Sequence, residues 1–207
     1  MRSSPLVLGV LASGRGSNLQ AILEAIQAGG YPARVGVVVS DRKDALALER
    51  ARRAGVRAVH ADPRASPDRA AFDQAVACLL TECGVELVCL AGYLRVLSPG
   101  FVAAFRGRIL NVHPALLPAF PGLHAQRQAL RHGVKVAGAT VHFVDEGVDT
   151  GPIVLQAAVP VLDDDSEEAL SARILVEEHR LYPEAIRLYA EGRLEIVDRR
   201  VKIRSRS

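Results

Sequence analysis

Leu6-Val7-Leu8-Gly9-Val10-Leu11-Ala12-Ser13-Gly14-Arg15-Gly16-Ser17-Asn18 is the stretch on which the fold class turns. Its first six residues are a continuous apolar run, the pattern of a strand buried on both faces. The next seven form a turn rich in glycine and serine. From residue 18 to 28 the apolar positions Leu19, Ile22, Leu23 and Ile26 recur at helical spacing, and Gly29-Gly30 stops the helix. Strand, tight turn and helix open a βαβ unit.

The pattern repeats outward from there. Residues 34–40 read as a strand, 44–54 as a helix ended by Gly55, 56–60 as a short strand and 85–90 as another buried run. Ser66-Pro67 is predicted to cap a helix running to about residue 83, with proline at its first position. Such alternation implies a parallel sheet with right-handed crossovers. The second half changes character. Ser98-Pro99 opens a short helix, residues 109–112 are strand-like, and 114–121 carry three prolines, too many for a helix or a central strand. After a helix over 124–132, residues 136–144 and 153–161 alternate as strands. Asp165 with Glu168 is predicted to form a capping box for a long helix towards residue 190, ended by Gly192. Residues 194–197 and 201–203 can form a final hairpin. The expectation is an α/β fold with a mostly parallel twisted sheet, helices on both faces, and antiparallel additions in the C-terminal half. It forms one domain over 1–198, with halves near 1–105 and 106–198 and a basic tail at 199–207.

Composition narrows the function classes. The 207 residues are 49% apolar and 24% charged, ordinary values for a globular chain. No apolar run is long enough to cross a membrane, and Met1 to Pro5 lacks the features of a signal peptide. Three cysteines (Cys78, Cys83 and Cys89) form no Cys-x-x-Cys pair, so neither a disulfide framework nor a zinc site is expected, and a cytoplasmic location is. The net charge of +3 comes from Arg199, Arg200, Lys202, Arg204 and Arg206; without those five the chain holds 21 basic and 23 acidic residues. With aromatics at 4%, this is not the footprint of a nucleic-acid binder. The expected partners are small molecules, and the chain is expected to act as a monomer or homodimer. Only two asparagines occur, Asn18 and Asn111, and both sit in motifs.

Three segments carry chemistry. Gly16-Ser17-Asn18 opens a helix whose N–H groups suit a phosphate, although the third glycine of a dinucleotide fingerprint and the lysine of a P-loop are missing. A plain turn capped by Ser17 is the alternative there. Asn111-Val112-His113-Pro114 ends a strand at the edge where open α/β sheets bind ligands, and Asn111 and His113 point to one face. A histidine can move protons near neutral pH and an amide can donate to an oxyanion. His60, His124, His132, His142 and His179 lack that setting. The acidic loop from Asp145 to Pro152 can place a carboxylate beside His113, which would favour its charged form.

The stretch Asn111-Val112-His113-Pro114-Ala115-Leu116-Leu117-Pro118-Ala119-Phe120-Pro121-Gly122-Leu123-His124 resembles the signature of the phosphoribosylglycinamide formyltransferases, folate-dependent enzymes of purine synthesis. Residues 13–18, 91–98 and 142–153 match in order, and the likeness covers about residues 6 to 197. That resemblance implies a Rossmann-like formyltransferase fold and formyl transfer from 10-formyltetrahydrofolate, without a metal, to the amine of 5-phosphoribosylglycinamide. It implies Asn111, His113 and Asp149 as the catalytic trio, and Gly16, Ser17, Asn18 and Glu178 at the ribonucleotide. It further implies Arg69, Leu94, Arg95, Val96, Leu97, Asp145, Glu146, Gly147 and Val148 on the folate side, and a cis Leu117–Pro118 bond. Leu175 stands where a polar residue is common, and is not carried over. The alternatives are a formyltetrahydrofolate hydrolase and a non-catalytic module that binds a phosphorylated metabolite.

Overall fold

A computed structural model describes residues 4–205, so Met1, Arg2 and Ser3 at the start and Arg206 of the basic segment lie outside the described residues. The elements in chain order are β1 (Leu6–Leu11), α1 (Ser17–Gln27), β2 (Ala33–Ser40), α2 (Leu46–Arg53) and β3 (Arg57–His60), then α3 (Arg69–Glu82), β4 (Leu87–Leu90) and α4 (Pro99–Ala104). They continue with β5 (Ile109–His113), α5 (Ala125–His132), β6 (Val136–Phe143), β7 (Ile153–Pro160), α6 (Glu167–Ala190), β8 (Leu194–Val197) and β9 (Arg200–Ile203). The chain divides into two compact units, Met1–Leu110 and Asn111–Ser207.

In the first unit the strand order is β3-β2-β1-β4 and every pairing is parallel. The apolar runs behave as expected of strands covered on both sides: Leu8, Val10, Leu11, Val37, Val38, Leu87, Val88 and Cys89 are buried. The turn after β1 depends on Gly16, whose φ of 69° lies in the left-handed region. A Cβ at that position would stand 2.7 Å from Ala47 Cα, so α2 approaches too closely for any side chain.

In the second unit the order is β5-β6-β7-β9-β8. β6 and β7 are antiparallel from Val136↔Pro160 to His142↔Ile153, β7 meets β9 in parallel at Ile153↔Arg200, and β8 and β9 form an antiparallel hairpin. α6 packs on β6 and β7, burying Leu170, Ile174, Leu181, Tyr182 and Ile186. The basic segment from Arg199 therefore contributes a strand to the sheet. The fold is α/β, with a mostly parallel sheet and antiparallel strands towards the C-terminus.

Two helix starts differ from expectation. Ser66 closes a 3-10 turn over Pro63–Ala65, and α3 is capped by Asp68, whose Oδ1 accepts from Ala71 N–H at 2.8 Å. An anionic acceptor two residues later suits the helix N-terminus better than the Ser66 hydroxyl. For α6 the cap is Ser166, which accepts from Ala169 N–H at 3.1 Å. Asp165 is taken instead by the Arg173 guanidinium at 2.7 and 2.8 Å and by Leu162 N–H at 2.8 Å.

Candidate active site

Two strands and one loop of the second unit bring four side chains together. β5 presents Asn111 and His113 from one face, and His142 arrives from the end of the adjacent β6. The loop between β6 and β7 supplies Asp149. His113 Nδ1 lies 3.4 Å from Asp149 Oδ2, Asn111 Nδ2 lies 3.4 Å from Asp149 Oδ1, and His142 Nε2 lies 3.6 Å from that same oxygen. Gly122 N–H donates to Asp149 Oδ2 at 2.7 Å. His113 and His142 are buried and the Asp149 side chain is 12% exposed, so this carboxylate mainly faces imidazoles and amides.

Carbonyl partners fix which ring nitrogens carry hydrogen, because a carbonyl only accepts. His113 Nε2 donates to Phe120 O at 2.8 Å, and His142 Nδ1 donates to Phe143 O at 2.8 Å. Neutral His142 then presents a lone pair at Nε2, which accepts from Asn111 Nδ2 at 3.1 Å. Neutral His113 turns its Nδ1 lone pair towards Asp149. Adding a proton there converts an unfavourable contact into an ion pair.

The charge balance departs from the sequence expectation that the carboxylate would raise the His113 pKa above its ordinary value. Burial holds His113 below that value, with His142 acting in the same direction; the Phe120 carbonyl and Asp149 oppose this without overcoming it. Burial also pushes the Asp149 carboxyl up, but the Gly122 N–H, and the hydrogen bond from His142 and the positive charge that the two imidazoles offer when protonated, outweigh it and hold it below the ordinary carboxylate range. Near neutral pH the resting pair is therefore an anionic Asp149 beside a neutral His113.

The backbone around the cluster is tied by side chains. Thr140 Oγ1 donates to Ala115 O at 2.6 Å and accepts from Leu117 N–H at 3.1 Å, while Gln156 Nε2 donates to both Leu117 O and Thr140 Oγ1 at 2.9 Å. These bonds fix the proline-rich segment after His113, which contains the expected cis Leu117–Pro118 bond. In the acidic loop, Asp145 Oδ1 accepts from Gly147 N–H at 3.1 Å and from Thr150 Oγ1 at 2.5 Å. Asp149 itself adopts a left-handed φ of 55°, uncommon outside glycine, and this turns its carboxylate inwards.

The other expected site residues fall in both units. Gly16, Ser17 and Asn18 open α1, where Gly16 is the N-cap and no side chain caps the helix. The alternative of a turn capped by Ser17 does not hold, and the first-turn N–H groups lack a side-chain acceptor of that kind. Glu178 is buried on α6, with Leu175 one turn earlier on the same helix. Arg69 is exposed at the start of α3. Leu94 and Val96 are exposed, Leu97 is buried, and the Arg95 guanidinium stacks 4.8 Å above the Phe72 ring. Asp145 is half-buried, and Glu146, Gly147 and Val148 are exposed.

Sequence reasoning passed over three contributors. His142 looked like one lone histidine among several, although the matched stretch 142–153 begins with it. Ser13 donates its N–H to Gly92 O at 3.0 Å and accepts Leu94 N–H at 3.0 Å. The buried Asp73 carboxylate accepts Ser98 N–H at 2.5 Å, so the 93–98 segment is held at both ends. Among the described residues, no group of three or more His, Cys, Asp or Glu is placed to hold a metal ion, and no helix is long and apolar enough to cross a membrane.

The chain has close counterparts among known proteins. Residues 7–186 match the formyl transferase family model. The chain is 45% identical over 187 residues to the phosphoribosylglycinamide formyltransferase of Escherichia coli, covering 90% of this chain and 88% of that one. It is 48% identical over 192 residues to the trifunctional purine biosynthetic protein adenosine-3 of Drosophila pseudoobscura pseudoobscura; the match takes in 92% of this chain but only 14% of that much longer protein. The crystal structure of glycinamide ribonucleotide transformylase 1 from Symbiobacterium toebii superposes with a TM-score of 0.97 at 64% identity, over 99% of this chain and 96% of the other. By sequence and by fold, the chain belongs to the phosphoribosylglycinamide formyltransferases of the formyl transferase family.

Proposed function

We propose that the protein transfers the formyl group of 10-formyltetrahydrofolate to the amine of 5-phosphoribosylglycinamide by direct attack of that amine. The observation that carries the reading is the convergence of Asn111, His113 and His142 on Asp149. Attack forms the new C–N bond and places negative charge on the formyl oxygen; collapse breaks the bond to the folate nitrogen. The amine gives up one proton and the folate nitrogen takes one.

Resting His113 is neutral, and negative charge developing beside it favours the imidazolium. Its second proton then lies on Nδ1, against Asp149. Asn111 has both amide hydrogens engaged, so donating to the oxyanion means giving up the longer contact, the one to Asp149 at 3.4 Å. An oxyanion donor of this kind contributes about 3–4 kcal/mol. His142 keeps the Asn111 amide oriented. The first-turn N–H groups at Gly16, Ser17 and Asn18 take the ribonucleotide phosphate, a role suited to an uncapped helix start. Glu178 serves the ribose, and Arg69, the 94–97 segment and the 145–148 loop hold the folate.

The test is release of tetrahydrofolate from 10-formyltetrahydrofolate with and without the ribonucleotide. Release that depends on the ribonucleotide, with a formylated product, supports the reading. Equal release in its absence identifies a hydrolase, and binding without turnover identifies a sensor module.

A further inference from the structure

We propose that Arg199, at the tip of the C-terminal hairpin, is a positioning residue that clamps the loop carrying Asp149. β8 and β9 are joined by the two residues Asp198 and Arg199, with Val197 paired to Arg200 and Asp198 at a left-handed φ of 54°. β9 lies parallel to β7 at Ile153↔Arg200, so the sheet delivers this tip beside the start of β7, where the 145–151 loop ends. There Arg199 Nη2 donates to Thr150 O at 2.8 Å.

That carbonyl belongs to the residue after Asp149. Thr150 is therefore held from both sides, its hydroxyl by Asp145 and its carbonyl by Arg199. Fixing the Thr150–Gly151 peptide, together with the Thr150 side chain, limits the freedom of the loop backbone immediately after Asp149. The left-handed conformation of Asp149 is one a non-glycine residue does not favour by itself, and it aims the carboxylate at His113 and Gly122 N–H. A cation is also well suited to a loop bearing Asp145, Glu146 and Asp149. The hairpin lies beyond the 7–186 span of the family model, so the clamp adds an element of this chain to the proposed site.

The inference rests on the reading that the loop serves folate and His113. Two variants test it in the full-length protein. Arg199→Met keeps the aliphatic stem and removes the donor, whereas Arg199→Lys keeps a donor. Hydrogen exchange of the 145–151 amides is read alongside steady-state kinetics. Expected for Arg199→Met is exchange faster by about threefold to tenfold in that loop alone, the range given by the net worth of one hydrogen bond. A similar loss in kcat/KM for the folate should accompany it, with the ribonucleotide KM within about twofold. Arg199→Lys should recover most of both. Unchanged exchange in Arg199→Met overturns the clamp. Faster exchange throughout the chain, or no recovery with lysine, makes Arg199 a general structural residue and also overturns it. Faster loop exchange with unaltered kinetics leaves the clamp and overturns the loop's part in the reaction.

Discussion

Gly122 N–H and His113 Nδ1 meet the same oxygen of Asp149, at 2.7 and 3.4 Å. The chain that follows His113 thus returns, through Gly122, to hold the carboxylate that faces His113. Position and charge are built into one closed circuit.

Asp149→Asn keeps the shape and removes the charge. The expected outcome is a kcat lower by on the order of 10²-fold or more, with both substrates still bound. His113→Ala should be similarly impaired, and the double variant much less than multiplicatively worse. Steady-state kinetics of the three proteins check this, and multiplicative losses would refute the pairing.

Stability should depend on pH through His113. Its folded value lies below 6.5, so between the two values the unfolded chain binds more protons than the folded one. The contribution is complete above about pH 6.5 and is lost as pH falls through the folded value. Asp149 also has a lowered folded value, so its contribution is present above the ordinary carboxylate range and is lost only in more acidic solution. Melting temperatures between pH 7.5 and 5.5 should therefore fall less in His113→Asn than in the parent protein.

Gly16→Ala would place a methyl group 2.7 Å from Ala47 Cα at a φ of 69°. The turn before α1 must shift, carrying the first-turn amides with it. Isothermal titration should find ribonucleotide affinity reduced about tenfold or more and folate affinity within about twofold. Equal affinity for the ribonucleotide would remove the phosphate from this loop.

Gly151→Ala brings a Cβ to 1.8 Å from Phe143 O, a backbone atom that cannot swing aside. The end of the acidic loop must open, at a cost of about 1–3 kcal/mol of stability. A lower denaturant midpoint should accompany loss of kcat. Parent-like values of both would contradict the close approach.

The fold was readable where pattern is local. The buried runs of β1, β2 and β4 have the unbroken apolar character of parallel strands, and period-two alternation placed Asn111 and His113 on one face. Helix starts failed where two acceptors compete within three residues, as Ser66 with Asp68 and Asp165 with Ser166. His142 could not be assigned from its neighbours in sequence, because its partners come from β5 and the acidic loop. The lowered His113 pKa was also out of reach, since burial outweighing a nearby carboxylate depends on packing that spacing does not encode. Arg199 looked like one charge in a basic run until the β7–β9 pairing placed it against Thr150.

The hydroxyl of Thr140 has a consequence for sequence freedom. Because Ala115 and Leu117 are anchored from β6 and β7, the path of the following segment does not rest on the exposed side chain of Ala119. Ala119 lies on the surface of that segment, just before the Phe120 carbonyl that receives His113 Nε2–H. Surface identity and reactive geometry are thereby uncoupled at Ala119, which makes that position a place to attach a label or alter solubility without re-aiming the histidine.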